Sequence, residues 1–114
     1  MMTQTGNKKR SKSELESSFQ KKAIELIEAM GGYVNKTHVS SFQSQGEPDI
    51  DCCYKGYWIS FELKIPGNKP SALQQLKMQK IREANGIAKS VYSLEEIKET
   101  LYEISTVRQG DKPS

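Results

Sequence analysis

Three residues of this chain have the types and the spacing of a hydrolytic metal site: Asp49, Glu62 and Lys64. Along a strand, residues i and i+2 face the same side. Glu62 and Lys64 therefore share one face, and Phe61 and Leu63 take the other. Lys55-Gly56 separates two strand-like runs and signals a tight two-residue turn. Such a turn pairs Tyr54 with Tyr57 and, carried outward, Asp49 with Glu62. Their Cβ atoms would then lie roughly 5 Å apart. Opposed carboxylates repel, so the pair calls for a cation. Lys64 is one candidate and a divalent metal is the other. Hard cations such as Mg²⁺ take carboxylate and carbonyl oxygens, through one or two carboxylates plus waters and phosphates. Such a metal lowers the pKa of a bound water, and a neighbouring lysine can hold that water or take its proton. The competing explanation is a surface ion-pair cluster, which is common and energetically minor. Asp51 shares Asp49's face and reads either as a further ligand or as a solvated strand residue.

The elements that must position these groups follow from periodicity and punctuation. Ser13 with Glu16 reads as a capping box opening a helix. Leu15, Phe19, Ala23, Leu26, Ile27 and Met30 then recur on one helical face. Gly31-Gly32 ends that helix. Tyr33–Thr37 is a short strand, and 38–47 is a loop rich in Ser, Gln and Gly. Pro48–Tyr54 and Tyr57–Ile65 form the hairpin around Lys55-Gly56. The run 66–70, with Pro66, Gly67 and Pro70, breaks the second of these strands. Ser71 caps a helix to about Asn85, with Leu73, Leu76, Ile81 and Ala84 towards the core and Gly86 at its C′ position. Ile87–Tyr92 is a fourth strand. Ser93 and Glu96 open a last helix reaching Ser105. The order α-β-β-β-α-β-α predicts an α/β sandwich around a small mixed sheet.

Composition narrows the function classes. The 114 residues make one domain's worth of chain. Apolar residues are 35% and the mean hydropathy is −0.70. No apolar run approaches the ~20 residues of a membrane helix, and the N-terminus lacks the apolar stretch of a secretory signal. Cys52 and Cys53 are adjacent and form neither a CxxC motif nor a disulfide framework. With His38 as the single histidine, a Cys/His zinc site is not expected. A reduced, cytoplasmic protein fits. The net charge is +3, from 17 basic and 14 acidic side chains. Lys8, Lys9, Arg10 and Lys12 account for four of the basic ones, leaving 13 against 14 over residues 13–114. The basicity thus belongs to a flexible tail (residues 1–12), and the body (13–105) is slightly acidic. Residues 106–114 read as a second loose end.

Pro48-Asp49 followed by Glu62-Leu63-Lys64 resembles the PD-(D/E)XK nuclease motif. The wider run includes Gly46-Glu47 before it and Pro70-Ser71-Ala72-Leu73-Gln74 after it. It resembles the VRR-NUC branch of that superfamily, which includes small stand-alone phage nucleases. The resemblance covers about residues 14–104. It implies a restriction-endonuclease-like αβββαβ core, matching the string read here plus one C-terminal helix. It implies Asp49 and Glu62 as direct ligands of Mg²⁺ or Mn²⁺, with the backbone carbonyl of Leu63 as a third. It implies Lys64 as the residue that positions or activates the hydrolytic water. Glu16 matches the family's first-helix glutamate, which reaches the metal through water, although it also reads simply as a capping residue. Gln74 matches a glutamine near the catalytic lysine, and Gln75 is the adjacent alternative. Glu47 departs from the pattern, since an apolar residue mostly precedes the proline. By hairpin pairing it would oppose Lys64.

The function so implied is metal-dependent hydrolysis of DNA phosphodiester bonds by a deoxyribonuclease. A chain this short carries no separate recognition module, so shape or junction recognition is expected over base-specific cutting. Small members resembling this chain are homodimers, which suits branched or Holliday-junction-like DNA. The basic tail would add salt-sensitive phosphate contacts. Two alternatives are a non-catalytic nucleic-acid-binding protein of the same fold and a sequence-specific restriction-type nuclease. His38 reads as a loop histidine, the two cysteines as small packing residues, and Tyr57, Trp58 and Phe61 as core or interface.

Overall fold

The computed structural model describes residues 11–36 and 49–107. The tail residues Lys8, Lys9 and Arg10 lie outside the described residues, as do Thr37, the 38–47 loop with His38 and Glu47, Pro48, and residues 108–114. The elements are α1 (Lys12–Ala29), β1 (Tyr33–Asn35), β2 (Asp49–Tyr54), β3 (Tyr57–Leu63), α2 (Ala72–Glu83), β4 (Ile87–Val91) and α3 (Leu94–Val107). The described residues form an α/β fold: a four-stranded mixed sheet flanked by three helices. Strand order is β1-β2-β3-β4, antiparallel except for the parallel β3–β4 pair. No helix among the described residues is long and apolar enough to cross a membrane.

The two faces of the sheet differ in chemistry. Ile50 and Cys52 of β2 pair with Phe61 and Ile59 of β3. With Val34, Leu63 and Val91 they form the core against Ala23 and Ile27 of α1 and Ile97, Leu101 and Ile104 of α3. The alternate residues, Asp49 and Asp51 on β2 and Ser60 and Glu62 on β3, face the other way, towards α2. The hairpin is built by Lys55 and Gly56, both at positive φ (53° and 86°). That geometry matches the right-handed twist of paired strands, and it sets the register that puts Asp49 opposite Glu62.

Several expected details are corrected. The cap of α1 is Ser11 with Glu14, not Ser13 with Glu16. Glu14's backbone N–H donates to Ser11 Oγ, and Ser11's N–H donates to Glu14 Oε1. Lys12 therefore belongs to the helix, not to the tail. The buried stripe of α1 is Glu16, Gln20, Ala23 and Ile27, and Leu15 is exposed. On α2, Leu73 and Leu76 are 71% and 49% exposed, and Met78 is the buried residue. The helix meets a polar sheet face, so its inward side carries polar groups. Its left-handed terminal residue is Asn85 (φ 74°), not Gly86. Strand β3 ends at Leu63 and β4 at Val91, each short of its expected end, while α3 runs on to Val107. Trp58 and Cys53 are exposed, Tyr57 is half-buried and Phe61 is fully buried.

Gly32 is required by contact. A Cβ there would lie 2.7 Å from Ile27 Cγ2 and 3.2 Å from the Ile27 carbonyl oxygen. Ile27 is fully buried and cannot give way cheaply. Gly32→Ala is expected to cost about 1–3 kcal/mol, the usual penalty of overpacking. A lowered urea midpoint with an unchanged m-value checks this.

Candidate functional site

Asp49 and Glu62 sit directly opposite each other on β2 and β3. Glu62 is 1% exposed. Its Oε2 is buried and has no hydrogen-bond partner among the described residues. Burial first, and the Asp49 charge second, push the Glu62 carboxyl up to about 7 against the pull of Lys77 and Lys64. Desolvation disfavours the charged form, and a like charge nearby adds to it.

Lys64 lies just past the end of β3, but its backbone is still tied to the sheet: its N–H donates to the Val91 carbonyl at 2.9 Å. Its side chain is 1% exposed. Its Nζ donates to Gln74 Oε1 at 2.7 Å. Gln74 is held in turn by the α2 capping box. Its Oε1 accepts from Ser71 N–H at 2.9 Å and its own N–H donates to Ser71 Oγ at 3.1 Å. One glutamine thus starts the helix and anchors the lysine. Gln75 is exposed and donates to the Pro70 carbonyl, so Gln74 is the one of the two shown bonded to Lys64.

Lys77 was not expected at this site. It follows Gln74 by three residues on α2, one neighbouring position on the same helical face. Its Nζ donates to Asp49 Oδ2 at 2.6 Å and stands 3.9 Å from Glu62 Oε2. Burial works to lower its pKa, but the hydrogen bond and charge of Asp49, then the charges of Glu62 and Asp51, outweigh it and raise it. The i+3 spacing from Gln74 was the sequence signal for it. That signal has meaning only once α2 is known to cross over the Asp49–Glu62 face.

The remaining candidates divide. Asp51 is buried, not solvated, and adds negative charge near Lys77. Glu16 is buried on the α1 stripe and takes no part in the α1 cap, so capping does not explain it. Leu63 is buried at the end of β3, between the carboxylate and the lysine. Burial first, then the Asp51 and Cys53 charges, push the Cys52 thiol up to about 12, which leaves it protonated and inert. Among the described residues, no three His, Cys, Asp or Glu side chains converge as a metal-holding group. Asp49 and Glu62 are, among the described residues, carboxylates that stand directly opposite each other. That pair fits a cation: it holds opposed negative charge, one oxygen is buried without a hydrogen-bond partner among the described residues, and a side-chain ammonium already stands against it. No protein-family model, curated protein or solved structure matches the chain.

Proposed function

We propose that this chain is a metal-dependent DNA endonuclease, a VRR-NUC-type member of the PD-(D/E)XK superfamily with a restriction-endonuclease-like core. The observation that supports it best is the register of one hairpin. Asp49 stands opposite Glu62, and Lys64 follows on the same side, buried and anchored by Gln74. An unassisted surface cluster would not bury both a carboxylate and a lysine, because each burial costs free energy unless the charge is used or compensated.

Asp49, Glu62 and the Leu63 carbonyl would hold Mg²⁺ or Mn²⁺, and Glu16 would reach it through water. Such an ion supplies a water of lowered pKa and neutralises charge on the phosphate. Lys64 would hold that water as a donor or, only as the neutral amine, accept its proton; Gln74 Oε1 accepts from its Nζ and keeps the side chain at the end of β3. The substrate class is DNA, preferably branched, cut by a homodimer that presents one site to each of two strands.

The Lys77–Asp49 ion pair favours a second reading, a non-catalytic nucleic-acid binder whose carboxylates are permanently neutralised by lysine. Purified protein incubated with branched and linear DNAs and Mn²⁺ or Mg²⁺ separates the two. Nicks mapped at branch points in the presence of metal are the expected result. Binding without cleavage in either metal would establish the silent protein. Cutting at one short site on linear duplex, with no preference for branches, would point to a restriction-type nuclease.

A further inference from the structure

Lys77 stands in direct contact with the carboxylate pair, yet it is poorly committed to the protein interior. Its ammonium is 2.6 Å from Asp49 Oδ2 and 3.9 Å from Glu62 Oε2, while its side chain is 43% exposed. Lys64 is nearly fully buried and directs its Nζ to Gln74. The two lysines therefore differ in kind: one is built into the end of β3 and the other reaches in from the surface of α2. A lysine has a flexible four-carbon stem and a compact, strongly hydrated head. From a half-exposed position it can leave the site by side-chain rotation alone.

We propose that Lys77 is the site's resident counter-ion and competes with the divalent metal for Asp49, so that it sets the metal concentration at which the site fills. The inference rests on the metal-site reading of Asp49 and Glu62 given above. A divalent ion binding Asp49 through Oδ2 displaces the ammonium, and one binding through Oδ1 is repelled by that ammonium for as long as the side chain stays. By linkage, whatever the ammonium gains from the pair is subtracted from the metal's affinity. In the metal-free protein the same contact lowers the repulsion between the opposed carboxylates. The pair is thereby tolerated until metal arrives.

The test uses the full-length protein and Mn²⁺ at constant ionic strength, read by isothermal titration and by the metal-induced shift in thermal midpoint. Lys77→Met keeps the stem and removes the charge. It is expected to bind Mn²⁺ about tenfold more tightly than wild type and to have a lower midpoint without metal. Lys80→Met makes the same charge change at an exposed position of α2 and controls for net charge; its affinity should stay near that of wild type. Equal affinities for wild type and Lys77→Met, with binding still lost in Asp49→Asn, would overturn the competition and leave the metal site standing. An equal gain in Lys80→Met would reduce the effect to general charge and overturn it too. No Mn²⁺ binding in any variant would remove both the metal site and the competition. Competition without DNA cleavage would support the role of Lys77 and remove only the nuclease function.

Discussion

Glu62→Gln is expected to make the metal-free protein more stable while abolishing metal-dependent cleavage. Glu62 is nearly fully buried opposite Asp49, and its acid is pushed up to about 7 from an ordinary value of 4.5. The unfolded chain loses this proton first as pH rises. Between about 4.5 and 7 the native state therefore binds more protons, and stability falls with rising pH. Above pH 7 the whole penalty is present, on the order of 3 kcal/mol. A neutral amide of the same shape does not incur it. The stability gain of Glu62→Gln should be near zero at pH 4 and reach its plateau above pH 7, as measured by denaturant titration at several pH values. The same substitution removes a proposed metal ligand, so Mn²⁺ should no longer raise the thermal midpoint. A buried carboxylate kept at a cost in stability and required for turnover is what a functional site predicts. If Glu62→Gln lowers stability at pH 8, Glu62 is a structural residue and the proposed site is wrong.

Lys64→Met is expected to reduce cleavage by about 10²–10⁴-fold, the range spanned by loss of a positioned proton-transfer group, with DNA affinity changed only a few-fold. The lysine is too deeply buried to contribute much to phosphate binding at the surface. Its removal should therefore appear in the rate constant at saturating DNA and not in the binding constant. Mn²⁺ binding should persist, since both carboxylates remain. Single-turnover cleavage beside an equilibrium binding assay measures both. Cleavage within tenfold of wild type would show that Lys64 is only a buried partner of Gln74.

The hairpin was legible because its determinants are local. Lys55-Gly56 can adopt two successive positive φ values, and a two-residue turn leaves one register. The period of two then decides which side chains share a face, so the opposition of Asp49 and Glu62 follows from counting. Helix existence was equally local, but helix starts were not. Ser11-Glu14 and Ser13-Glu16 both satisfy the capping pattern, and only the packed helix shows that Ser11 caps. The inward residues of α2 were misread for a related reason. Leu73 and Leu76 mark an apolar stripe, yet the sheet face above which α2 lies is polar. The helix turns Gln74, Lys77 and Met78 towards it and leaves the leucines outside.

The sequence by itself therefore determined the α/β order of elements, the carboxylate pair and the lysine that follows it, because backbone periodicity and turn chemistry act over a few residues. Only the tertiary structure decided which charges meet. It carried α2 across the sheet after β3, brought Gln74 rather than Gln75 to Lys64, and set Lys77 against Asp49. Those contacts join residues distant in the chain, and their geometry depends on how a whole helix docks. The same docking buries Glu62 and so raises its proton affinity, a property that no spacing in the sequence encodes.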